Sequence, residues 1–207
     1  MPRPRSDIRP RVLEAARTQF LADGVEGASL RKIARAAHTS IGMIYYYFPT
    51  KDELFLAVVE EHYGKLLEDL ATVLKPDAPF EKRIERLYQR AGNLSQAELD
   101  TFKLVIREAL LSTDRLGALI ERFKRGHLAL LAQTVADGMA EGSIAPTRYP
   151  GVVIMSVMAV GLAPQLVRRI AGGSFPVPGV PDGQELPHEL AHVLLHGVGT
   201  QRKPESS

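Results

Sequence analysis

Between Ser29 and Lys51 the chain reads SLRKIARAAHTSIGMIYYYFPTK, and no other stretch restricts the fold as tightly. Leu30, Ile33, Ala34 and Ala37 recur at i, i+3, i+4 and i+7, which lays one narrow apolar stripe along a two-turn helix opening at a Ser29 cap. After a break at His38-Thr39, Ser40 caps a second short helix whose Ile44 and Phe48 face inward while Ile41, Met43, Tyr46 and Tyr47 face outward. A stripe this narrow has to lean on a neighbour. Exposed aromatics on so short a helix need a partner.

Two short helices joined by a tight turn, the second with an aromatic and small-residue face, form the helix-turn-helix layout that sets a recognition helix in the major groove. Gly24, Ser29, Ile33-Ala34, Ala37, Ser40, Gly42, Tyr45, Tyr47-Phe48, Lys51 and Leu54 stand at the signature spacing of the TetR family of transcriptional regulators, which this run resembles. The resemblance covers about the first fifty-five residues closely. Beyond them it is one of helical layout and length. One position departs from the pattern: His38 stands where the family usually has Gly, in a turn that favours positive φ, so a slightly strained turn is expected.

A chain of 207 residues can bury a proper core. It has no Cys, which excludes disulfides and thiolate metal sites and is compatible with a reducing cytoplasm. MPRPRSDIRPR at the N-terminus has no apolar run of the secretory kind, and a cytoplasmic location is expected. The net charge of +2 is unevenly divided: residues 1–52 carry nine Lys or Arg against five Asp or Glu, leaving the remainder mildly acidic. A basic N-terminal segment suits a phosphate-facing head on a body with another task.

Taken in order, residues 1–7 read as a disordered basic arm. Val12, Leu13, Ala16 and Phe20 mark an amphipathic helix from Ile8 that stops at Gly24, completing a three-helix head. Thr50 and Glu53 form a capping box for a long helix carrying Leu54, Phe55, Val58, Val59, His62, Leu66, Leu67 and Leu70. Helices are then expected over 80–94, 97–112 and 114–142. In the second of these Phe102, Val105, Ile106, Ala109 and Leu110 form the expected main buried face, with Leu104, Glu108 and Leu111 on another. Residues 150–167 hold no charge, and their length meets that of a membrane span. Ser156, Gly161, Pro164 and Gln165 within the run, and the amphipathic helices before it, favour burial between this core and a second copy. A Pro- and Gly-rich loop leads to a last helix over about 185–198, and residues 201–207 read as a disordered tail. The fold class is thus all-α, about nine helices, with a head at 1–53 (motif 29–48) and a body at 54–200.

The last helix also spells His188-Glu189-Leu190-Ala191-His192, the H-E-x-x-H pattern in which two His one turn apart bind zinc and the Glu activates water. His196 extends the stripe. A metzincin would continue to a third His at position 198, where this chain has Val198, and no β-pattern supplies a substrate edge. Hydrolysis is therefore the remote alternative, and neither a metal nor another cofactor is expected.

The resemblance implies a homodimeric, ligand-responsive regulator, a repressor that binds a pseudo-palindromic double-stranded DNA operator and is released by a small molecule. On the outward face of the second motif helix, Ser40, Ile41, Met43 and Tyr46 are placed to read base edges and thymine methyls, and Gly42 permits close backbone approach. By resemblance, Tyr45, Tyr47 and Lys51 hold phosphates; Arg31 and Lys32, at the start of the first motif helix, are placed to add backbone contacts, with Arg31 also in reach of a base. The helices at about 150–170 and 185–198 are expected to pair two copies. A small-molecule effector would lie among the body helices, with His62, Phe102, Glu108, Phe123, His127, Met139, Met155 and Met158 as candidate contacts. An activator, or a constitutive DNA-binding protein, is the alternative reading.

Overall fold

The helix over residues 8–27 sets the pattern for the rest of the chain: Val12, Leu13, Ala16 and Phe20 are at most 1 % exposed, as their 3.6-residue spacing requires. The computed structural model describes residues 7–170, 178–181 and 185–198. The basic arm, most of the Pro- and Gly-rich loop and the C-terminal tail lie outside these residues. Among the described residues there are ten helices and no strand. They are α1 (Ile8–Gly27), α2 (Leu30–Ala36), α3 (Ile41–Tyr47), α4 (Lys51–Val73), α5 (Phe80–Gly92), α6 (Gln96–Leu111), α7 (Thr113–Arg125), α8 (His127–Ala140), α9 (Pro150–Ile170) and α10 (Glu185–His196).

The chain divides into two compact units. The first comprises residues up to Glu68 together with Ser95–Gly126, so α6 and α7 pack with α1 to α3 and most of α4. Its core gathers Phe20, Val25, Ile33, Ile44, Phe48, Leu54, Phe55, Val58, Leu104 and Leu119. The second comprises Asp69–Leu94 and the residues from His127 onward. There Phe80, Ile84, Leu87, Tyr88, Leu131, Val135 and Val157 form the core, and α10 packs along α5. Arg83 is buried in it at 1 % exposure, and Asp137 (3.0 Å) and Glu141 (3.5 Å) supply the opposite charge that such burial demands.

Two sequence expectations are corrected by the packing. The single helix expected over 114–142 is two, broken at Gly126, where φ is −104° and ψ −117°. A Cβ at that position would fall on the Tyr63 hydroxyl, so any other residue there would have to displace the Tyr63 ring. On α6, Leu104 and Glu108 are buried, whereas Ile106 (43 %) and Leu110 (81 %) of the expected main face are exposed, as is Leu111. The helix is apolar on two sides. The side chosen is the one where Glu108 finds partners: the Val25 N–H (3.1 Å), Arg107 Nε (3.3 Å) and Arg115 Nη1 (2.9 Å).

The sequence has α9 buried between this core and a second copy. Within one chain only Val157, Gly161 and Gln165 are buried. Its middle turn, Met158–Leu162, is a π-helix, and the Tyr88 hydroxyl donates to the Val157 carbonyl at 3.0 Å there. Burial pushes the Tyr88 phenol above its ordinary range, which keeps it a donor. Val152, Met155, Val167 and Ile170 remain exposed along the other side.

Candidate nucleic-acid interface

Each motif helix starts where its sequence cap places it. Ser29 Oγ accepts the Lys32 N–H at 3.4 Å, and Ser40 Oγ accepts the Met43 N–H at 3.2 Å. The turn between them closes as a Schellman motif: the His38 N–H donates to the Arg35 carbonyl, and the Thr39 N–H donates to the Ala34 carbonyl at 2.9 Å. His38 takes the left-handed position with φ +50°, alone among the described non-glycine residues. The strain expected there is present.

Ile44 (0 % exposed) and Phe48 (5 %) anchor α3 to the head, and these two anchors decide what the helix shows outward. Tyr46 is 77 % exposed and Tyr45 51 %, with Ser40 and Gly42 also on the surface. Ile41, Met43 and Tyr47 are half-buried, so the outward face is narrower than the sequence suggested. Tyr47 makes an edge-on contact with Tyr46 (ring centroids 5.2 Å) and a tilted one with Phe48 (6.3 Å). Arg9, which sequence reasoning did not single out, holds its guanidinium 5.7 Å from the Phe48 ring centroid. Its basic first-turn position was the available signal.

Lys51 opens α4 and donates from Nζ to the Glu26 carbonyl at 2.9 Å. Thr50 Oγ1 accepts the Glu53 N–H at 3.1 Å, the cap its sequence predicts. Arg31 and Lys32 are exposed at the start of α2, and the Lys32 ammonium stands 4.0 Å from Asp23. Ser40, Tyr45, Tyr46, Arg31 and Lys51 thus occur within one compact unit, at the starts of α2, α3 and α4 and on the outer side of α3.

Behind this surface, α1 is interrupted at Gly24 (φ 75°, ψ 170°). Arg107 donates to the carbonyls of Phe20 and of Leu21 (3.1 Å), in the turn just before the break. Arg115, 6 % exposed, spreads its guanidinium over three carboxylates: Glu108, Asp52 (2.8 Å) and Glu26. Burial opposes its charge, but Asp52 and Glu26 outweigh burial and its pKa lies above the ordinary arginine value.

The candidate effector contacts divide between the units. His62, Phe102, Glu108 and Phe123 belong to the first, where Glu108 is fully engaged in ion pairs and Phe123 lies 5.6 Å from the Tyr63 ring. His62 is half-buried with no hydrogen-bond partner on Nε2. His127, Met139, Met155 and Met158 belong to the second; His127 is half-buried and Met155 is 70 % exposed on α9.

The H-E-x-x-H stripe lies on the exposed side of α10. His192 and His196 have ring centroids 4.7 Å apart, while His188 faces Glu85 (3.8 Å) and His196 faces Glu81 (3.6 Å). Among the described residues no three His, Cys, Asp or Glu side chains converge as a metal site. His188 and Glu189 instead border a cleft with Gly179, Pro181 and Glu185.

Residues 12–58 match the model of the bacterial regulatory proteins of the tetR family. The transcriptional repressor SCO4008 of Streptomyces coelicolor is 31 % identical over 171 residues, which span 80 % of this chain and 84 % of that protein. The repressor NemR of Escherichia coli is 26 % identical over 195 residues, 90 % of this chain and 92 % of its own. Among solved structures, the transcriptional regulator FadR of Bacillus subtilis, in complex with stearoyl-CoA, superposes with a TM-score of 0.72 at 18 % identity, covering 92 % of this chain and 99 % of that one. A likeness at that identity speaks for the fold, and the fold agrees with what the head and the repressor similarity say together. The chain belongs to the tetR family and is a DNA-binding transcriptional regulator.

Proposed function

We propose that this regulator is a homodimeric repressor that binds a pseudo-palindromic operator and is released by a small molecule. The observation that carries the reading is the geometry of α3: anchored by Ile44 and Phe48, it presents Tyr45 and Tyr46 outward, and Lys51 opens the helix that follows. In this reading residues 1–53 are the DNA-binding domain, and 54–200 are the body that binds the effector and a second copy. Ser40, Ile41, Met43 and Tyr46 contact bases, Gly42 lets the backbone approach, and Tyr45, Tyr47, Lys51, Arg31 and Lys32 contact phosphates.

The apolar stripe Val152, Met155, Val167 and Ile170 on α9, together with α10, pairs two copies, which sets half-sites one or more helical turns apart. α9 is long and apolar enough to cross a membrane, with 17 % of its apolar window buried. A neighbouring copy covers that surface in a protein that works on DNA in the cytoplasm. Effector release follows from linkage: a ligand that prefers the conformation with misplaced heads lowers DNA affinity by the factor by which DNA lowers its own. The stearoyl-CoA held by the Bacillus subtilis FadR makes a long-chain acyl-CoA the first compound to try.

Lys51→Gln tests the grip. It is expected to weaken binding alike for all operator variants and to reduce the slope of log K against log [salt] by about one. A loss confined to one operator sequence would remove Lys51 from the phosphate-contacting set.

A further inference from the structure

The helix-turn-helix is strung between two acidic residues. Glu26 lies just before it, in the last turn of α1, and Asp52 just after it, in the first turn of α4. Both carboxylates are held by Arg115, which arrives from α7, more than sixty residues away in sequence. The same guanidinium is locked from behind by the buried Glu108, whose other oxygen accepts the Val25 N–H at 3.1 Å. Lys51 closes the same loop a second time, donating to the Glu26 carbonyl at 2.9 Å. One rigid guanidinium, donating from all three of its nitrogens to acids from three elements, thus ties both ends of the motif and the backbone against which Lys51 is held.

We propose that Arg115 is a positioning residue of the DNA grip, and that Asp52 serves that grip in spite of its charge. The inference rests on the DNA-binding reading above. An acid beside a phosphate-contacting lysine ordinarily weakens binding, and neutralising it ordinarily strengthens binding. Here the Asp52 carboxylate is 57 % exposed, yet its 2.8 Å contact with Arg115 ties the first turn of α4, which also carries Lys51, to α7. Removing that charge loosens one end of the motif.

The test is operator affinity of the full chain by fluorescence anisotropy at fixed salt, with thermal unfolding as the check on folding. Asp52→Asn is expected to weaken binding about five- to tenfold, against the electrostatic trend. Glu53→Gln, in the same turn and without a link to Arg115, leaves affinity unchanged or raises it. Arg115→Gln weakens binding at least as much as Asp52→Asn, and the double variant is no weaker than Arg115→Gln alone, because both changes break one contact. Because Arg115→Gln also strands the buried Glu108, the exposed Asp52→Asn variant decides the matter if it destabilises the fold. Equal or tighter binding by Asp52→Asn, or losses that simply add, would overturn this role. A wild-type chain that binds no DNA at low salt would sink the underlying reading and this inference with it.

Discussion

Gly24 and Gly27 are three residues apart in one helix, and the structure assigns opposite signs to the same substitution at the two. Gly24 has φ 75° and ψ 170°, a region that L residues essentially never occupy. Space is not the obstacle, since a Cβ there would meet nothing closer than Glu108 Oε1 at 3.4 Å. An alanine therefore has two options. It can hold the strained backbone at about 1–3 kcal/mol, or relax it and lose the Val25 N–H bond to the buried Glu108 carboxylate at about 1.5–3 kcal/mol. The chain takes the cheaper, and the reduced entropy of the unfolded state returns about 0.4–1 kcal/mol. Gly24→Ala is thus expected to destabilise by about 1–2 kcal/mol, a fall in Tm of about 2–8 °C for a chain of this size. Gly27 meets only Asp23 Cβ at 3.4 Å and has no positive φ, so Gly27→Ala is expected to stabilise by up to about 1 kcal/mol. Urea unfolding followed by circular dichroism measures both. A Gly24→Ala protein as stable as wild type would show that the break in α1 is not fixed by backbone conformation.

Two further outcomes follow from burial and its absence. Burial holds His127 below its ordinary pKa, so the unfolded chain takes up that proton first as the pH falls. Stability present above the unfolded value of about 6.5 is therefore lost below it, and His127→Gln is expected to reduce the drop in urea midpoint between about pH 7.5 and 5.5; an unchanged drop would contradict this sign. On α9, Met155→Glu places a charge on a side chain that is 70 % exposed within one chain. Sedimentation is expected to move from twice the monomer mass to the monomer mass with little change in thermal stability of the single chain, and a variant that stays dimeric would take α9 out of the interface.

The head was legible because each of its signals acts locally. The stripe Leu30, Ile33, Ala34 and Ala37, the Ser29 and Ser40 caps and the left-handed His38 all depend on neighbours within five residues, and all stand where the spacing put them. Where a choice depended on distant partners, periodicity could not make it. α6 carries apolar residues on two sides, and what selects the Leu104 and Glu108 side is a set of partners on α1 and α7: Val25, reached through the break at Gly24, and Arg115. The break between α7 and α8 hides inside a continuous apolar pattern, and the Tyr63 ring that lies against Gly126 there is more than sixty positions away in sequence. The tie from Arg115 to Glu26 and Asp52 spans 89 and 63 positions and has no sequence motif at all.

In the proposed function, two copies of one α3 surface grip duplex DNA. Footprinting the purified protein on the region upstream of its own coding sequence, at low salt and then with rising salt, measures that directly. The account predicts two protected half-sites related by a two-fold axis, one or more helical turns apart, that fade with salt and are lost together in Tyr46→Ala. A single asymmetric footprint, or none at any salt concentration, would contradict it.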